Sequence, residues 1–178
     1  MIPSSLTSTP ANIDAPFAQL QVITASNAAE LKLLKTLHLP DFRTGSPSQC
    51  SVAFSPDGKY LSGVCHQNTI PLWDAHTGQL IRSLESSPVQ EVALAFSPDG
   101  KQIATGGLAG IIRVWDTSSG QMLWAGNPLS SPVWELVFSP DGTKLASASF
   151  SRSSAARSIH LWNPMNGDLL REYQTDAE

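Results

Sequence analysis

One segment of this chain is written three times. Val52-Ala53-Phe54-Ser55-Pro56-Asp57-Gly58-Lys59 returns as Leu94-Ala95-Phe96-Ser97-Pro98-Asp99-Gly100-Lys101. It returns again as Leu136-Val137-Phe138-Ser139-Pro140-Asp141-Gly142-Thr143, each step being 42 residues. A second marker follows in the same order: Ile70-Pro71-Leu72-Trp73-Asp74, Ile112-Arg113-Val114-Trp115-Asp116 and Ile159-His160-Leu161-Trp162-Asn163, with Trp-to-Trp steps of 42 and 47. A third closes each unit: Thr77-Gly78-Gln79, Ser119-Gly120-Gln121 and Asn166-Gly167-Asp168. Self-similarity at such a period marks a repeat architecture, in which each unit stacks on its neighbours.

The chemistry within a unit selects strands. Ser-Pro-Asp-Gly is a turn: Pro presets φ, Asp bonds the local backbone, and Gly58, Gly100 and Gly142 accept positive φ. Short runs of β-branched and aromatic residues flank each turn, as in a hairpin. In the second unit this predicts strands near 91–97, 102–107, 111–116 and 121–125. Four short antiparallel strands make a small sheet that cannot bury both faces alone.

The Phe-Ser-Pro-Asp-Gly and Trp-Asp markers resemble the WD-repeat (β-transducin repeat) family of β-propellers, and their style looks like bacterial members of it. The resemblance implies an all-β fold: an incomplete ring of three four-stranded blades with one leading outer strand. Blade one falls at 49–85, blade two at 89–127 and blade three at 132–175, with the leading strand at 31–38. Residues 1–22, with Pro3, Pro10 and Pro16, read as a flexible tail before the partial propeller of 23–178. The family's buried polar network is only partly kept. Its hydroxyl position holds Gly63, Thr105 and Ser147, leaving Thr105–Trp115 and Ser147–Trp162 as the surviving pairs. Pro71 stands where a third strand needs a ladder N–H.

Charge and composition exclude several functions. Charged residues are 15 % and the net charge is −4, with the basic residues scattered singly. That disfavours nucleic acid and anionic membranes as partners. The N-terminus has no secretory pattern and no stretch approaches the ~20 apolar residues of a spanning helix, so a cytoplasmic location is expected. Cys50 and Cys65 are expected there as reduced thiols.

His38, His66, His76 and His160 share no metal-ligand spacing. Asp57, Asp99 and Asp141 repeat in an identical turn context, which assigns them to turn chemistry rather than catalysis. There is no Gly-x-Ser-x-Gly elbow. Gly106-Gly107-Leu108-Ala109-Gly110 lacks the spacing and Lys of a phosphate loop and reads as a flexible hairpin. No enzyme activity, metal, cofactor or small-molecule substrate is expected.

Trp73, Trp115 and Trp162 occupy the repeat's structural position. Trp124 falls on an outer strand, where part burial is normal. Trp134, at the start of an innermost strand, has no counterpart in the other units. The third unit also carries an insertion between its second and third strands, with Arg152 and Arg157. The family's common contact positions fall here on Cys50, Val92 and Trp134 at strand starts, and on His66, Leu108 and Phe150 beside turns. The resemblance thus implies a non-catalytic scaffold that presents one face to protein partners. The alternatives are a propeller fragment of a larger hydrolase or kinase, and a half-propeller that pairs with a second copy of itself. Because the leading strand has no partner in this register, the natural unit is expected to run longer at its C-terminus or to close by pairing.

Overall fold

Each repeat folds into one antiparallel sheet whose four strands run in chain order. Blade one comprises β1 (Ser51–Phe54), β2 (Tyr60–Val64), β3 (Thr69–Asp74) and β4 (Leu80–Glu85). Blade two comprises β5 (Glu91–Phe96), β6 (Gln102–Gly107), β7 (Ile112–Asp116) and β8 (Met122–Ala125). Blade three comprises β9 (Val133–Phe138), β10 (Leu145–Phe150), β11 (Arg157–Trp162) and β12 (Leu169–Thr175). The computed structural model describes residues 50–64, 69–85, 90–126, 129–150 and 157–175. These all lie within one unit, Leu37–Glu178. The tail 1–22, the leading strand 31–38, Cys65, His66 and Arg152 lie outside the described residues.

The Ser-Pro-Asp-Gly turns are built alike. The Ser Oγ–H donates to the Asp carboxylate in each, at 2.7 Å for Ser55–Asp57, 2.7 Å for Ser97–Asp99 and 2.5 Å for Ser139–Asp141. The same Oγ accepts the N–H of Tyr60 or Gln102, the first residues of β2 and β6, or of Lys144, just before β10. Gly58, Gly100 and Gly142 hold φ of 70°, 70° and 69°, a region that L side chains enter only with strain. One short motif therefore closes the hairpin and fixes its register.

Two apolar clusters lie between the sheets. One joins Val64, Ile70, Leu72 and Leu84 of blade one to Leu94, Phe96, Ile103 and Trp115 of blade two. The other joins Ala93, Ile112 and Val114 of blade two to Leu136, Phe138, Leu145 and Trp162 of blade three. Neither cluster exists within a single sheet, so the blades stabilise one another by stacking.

The polar network follows the hydroxyls. Trp115 Nε1–H donates to Thr105 Oγ1 at 3.1 Å, and Trp162 Nε1–H donates to Ser147 Oγ at 2.9 Å. Gly63 offers Trp73 no such acceptor. The β2–β3 ladder in blade one pairs Tyr60↔Asp74, Leu61↔Trp73 and Ser62↔Leu72 and stops before Pro71, whereas β6 and β7 pair through Gly106↔Ile112. Pro has no N–H to continue the ladder. Ser62 Oγ–H instead donates to the Pro71 carbonyl at 2.8 Å, so that buried acceptor is satisfied from the side.

Candidate functional site

The rim site grows from a bulge in an innermost strand. Along β9 the pairing runs Ala148↔Glu135 and then Ser149↔Val133, which leaves Trp134 without a ladder partner. A bulge re-aims the extra side chain. Trp134 lies over Phe150, the last residue of β10, with ring centroids 5.3 Å apart and planes 28° apart. Its Nε1–H donates to the Phe150 carbonyl at 2.9 Å. Phe150 stays exposed and Trp134 partly so. Phe150 is also the ladder partner of Arg157, the first residue of β11, whose side chain is exposed. Trp134, Phe150 and Arg157 are thus gathered at one end of blade three.

The β6–β7 turn is tied both to the entry of β5 and to the connection before β9. The Leu108 N–H donates to the Gln90 carbonyl at 3.0 Å, and the Leu129 N–H to the Gly110 carbonyl at 2.9 Å. This seats the β6–β7 turn, with Leu108 exposed, against the connection that leads into β9. The glycines here serve contact rather than flexibility, which corrects the flexible-hairpin expectation. A Cβ on Gly107 would fall 2.1 Å from the Gln90 carbonyl oxygen, and one on Gly110 would fall 2.5 Å from that of Leu129.

Two other expected contact residues fare differently. Val92 occupies the bulge of β5, as Trp134 does that of β9, but it is only 1 % exposed. It is therefore a packing residue and not a contact, because its bulge turns a small apolar side chain inward. Cys50 is exposed, but it is disulfide-bonded rather than the reduced thiol expected. The bond removes it from thiol chemistry, and such bonds persist in oxidising surroundings.

Several features escaped the sequence reading. Glu91 and Arg113 form a buried ion pair at 2.6 Å, with side chains 0 % and 7 % exposed. Arg113 shares its repeat position with Pro71 and His160, so no periodic signal announces the pair. Trp124 does more than fill an outer strand. Its Nε1–H donates to the Pro164 carbonyl at 2.7 Å and links blade two to blade three.

The acidic residues that repeat are held ionised by their turns. Hydrogen bonds, first from the Ser hydroxyl and then from backbone N–H groups, hold Asp57 and Asp141 down to about 2, and the same donors lower Asp99. A carboxylate saturated in this way makes a poor general base. Among the described residues no group of three His, Cys, Asp or Glu is placed to hold a metal ion. Among them, too, no helix is long and apolar enough to cross a membrane.

A comparison with curated proteins finds no match. The family model of the WD domain, G-beta repeat, matches residues 33–74, 75–116 and 122–163, most of the chain. Repeats of this kind generally mediate protein–protein interaction and are typically non-catalytic. The matched units contain the Ser-Pro-Asp-Gly markers of all three sheets, with Trp-Asp in the first two and Trp162-Asn163 in the third, and the chain belongs to the WD-repeat family.

Proposed function

We propose that this chain is a non-catalytic protein-interaction scaffold whose contact rim is centred on Trp134. The single observation that carries the reading is the stack of Trp134 on Phe150, two aromatic rings held partly in solvent at a bulge that no other blade fills in this way. Rigid aromatic anchors with an adjacent cation are the residue types that dominate protein interfaces. The Trp134 N–H bond to the Phe150 carbonyl fixes the ring before a partner arrives, so little side-chain entropy is lost on contact. Leu108 on the neighbouring turn widens the apolar footing, and Arg157 adds positive charge at its edge. A partner segment with an exposed apolar side chain suits this rim. Cytoplasmic proteins are not the only partners on this reading, since the Cys50 bond suits an oxidising compartment as well.

The test is quantitative affinity capture from the source cell, followed by binding of the purified partner. Trp134→Ala is expected to weaken that binding by about 2 kcal/mol or more while leaving the melting temperature near that of the parent. Equal binding by parent and variant would overturn the assignment of the rim.

A further inference from the structure

The blades pack by one rule. In the first interface Ile70 and Leu72 of blade one meet Leu94, Phe96, Ile103 and Trp115 of blade two. In the second, Ile112 and Val114 of blade two meet Leu136, Phe138, Leu145 and Trp162 of blade three. These are the same repeat positions, displaced by one unit. The residues on the first side of each interface form a blade's downstream face, and those on the second side form its upstream face.

The rule identifies what is left uncovered. The upstream face of blade one consists of Val52, Phe54, Leu61 and Trp73; Trp73 is buried at 7 % exposed, and the open part of the face is Val52 and Phe54. Val52 is 73 % and Phe54 62 % exposed, whereas their equivalents Leu94, Phe96, Leu136 and Phe138 are 6 %, 9 %, 7 % and 7 % exposed. The downstream face of blade three consists of Val137, Ile159, Leu161 and Tyr173. Ile159 is 44 % exposed, while Ile70 and Ile112 are both at 0 %. Val137 and Tyr173 are 57 % and 45 % exposed. The chain therefore carries an upstream face open at Val52 and Phe54 and a downstream face open at Val137, Ile159 and Tyr173, matching parts of the two halves of an interface it already makes twice.

We infer that a second copy of this chain covers both faces. The downstream face of blade three in each copy seats on the upstream face of blade one in the other, and two copies close a six-bladed ring. Both sides of the joint are built from repeat positions that already pack together inside the chain, so no new mode of packing is needed. Head-to-tail contacts of this kind close into rings when the rotation permits. Six blades fall within the four to eight of closed propellers. Pairing like with like has no precedent in either internal interface. The inference is independent of the Trp134 rim, which lies on a different surface.

Sedimentation velocity on the 178-residue chain tests it. A discrete two-copy species that dissociates on dilution is expected. V52E/F54E blocks the upstream face, and V137E/I159E blocks the downstream face. Each variant alone is expected to lose self-association by about 30-fold or more. Mixed in equal amounts, the two are expected to form a dimer again, because each brings the face that the other has lost. That recovery also shows that both variants fold. A parent chain that stays monomeric at high micromolar concentration would overturn the inference. So would a ladder of larger assemblies, a dimer that survives in either variant alone, or a mixture that fails to associate.

Discussion

Blade two and blade one share the same markers at a spacing of 42 residues, yet they are held together differently. Blade two has a covered sheet on both sides, a Trp115–Thr105 bond and the buried Glu91–Arg113 pair. Blade one has a face left open at Val52 and Phe54, Gly63 where the hydroxyl should be, and Pro71 cutting its β2–β3 ladder short. The turns of the two blades are nevertheless almost superimposable in their hydrogen bonds. The repeat thus specifies the hairpin locally, while burial and polar locking depend on what each sheet meets.

The largest expected effect compares one substitution at equivalent positions. Phe96→Ala removes a ring from the interface of blades one and two and is expected to cost about 3–5 kcal/mol. Phe54→Ala, at the open face, is expected to stay within about 0.5 kcal/mol. Urea unfolding of both variants, below the concentration at which copies associate, checks the difference. Equal costs would mean that Phe54 is covered after all, and the contrast between the blades would fail.

Next comes the ion pair that only blade two possesses. Arg113→Leu removes the 2.6 Å ion pair from the buried Glu91 carboxylate, which is expected to cost about 3 kcal/mol. Pairing it with Glu91→Leu should recover much of that loss, since two apolar side chains need no neutralising partner. A denaturant series on the two single variants and the double variant reads the coupling directly. Strict additivity would show that the 2.6 Å contact does not hold the blade.

A smaller effect is expected at the Trp locks. Thr105→Val keeps the shape but leaves the Trp115 N–H buried without an acceptor, at a cost of about 1–2 kcal/mol. Ser147→Ala should do the same to Trp162. The thermal midpoints of both variants provide the measurement, and an unchanged midpoint would remove the lock from the account of blade two.

What could be read in the sequence follows the same division. The hairpins, their turn glycines and the two surviving Trp–hydroxyl pairs were legible because they recur at fixed offsets from one another. Pro71 was legible as a fault because a missing N–H is a property of the residue alone. The Glu91–Arg113 pair was not, because its partners are 22 residues apart and neither is repeated in the other blades. The Trp124–Pro164 link was hidden for a related reason: it crosses between blades, where no local spacing applies. Val92 and Trp134 share one position, and only the structure shows the first turned inward and the second stacked on Phe150. The disulfide at Cys50 depends on chain geometry and redox surroundings together, which composition does not convey.

The smallest expected effect concerns what the blades have in common. Asp57 and Asp141 titrate near 2 in the folded chain against an ordinary value of 3.8, chiefly because a Ser hydroxyl and a backbone N–H donate to the ionised form. A carboxyl whose pKa is lower in the folded state adds stability above its unfolded pKa and loses it as protons bind. Stability should therefore fall as pH drops from about 4 to about 2. Replacing Asp57, Asp99 and Asp141 by Asn keeps an acceptor for the Ser hydroxyl but removes the titration. The triple variant is expected to show a flatter melting temperature across that window than the parent. All three carboxylates are largely solvent-exposed, so screening keeps the effect modest. An equal acid slope in parent and variant would move acid sensitivity away from the shared turns. It would then lie with the other turn carboxylates that hydrogen bonds hold below the ordinary value, Asp74 and Asp116.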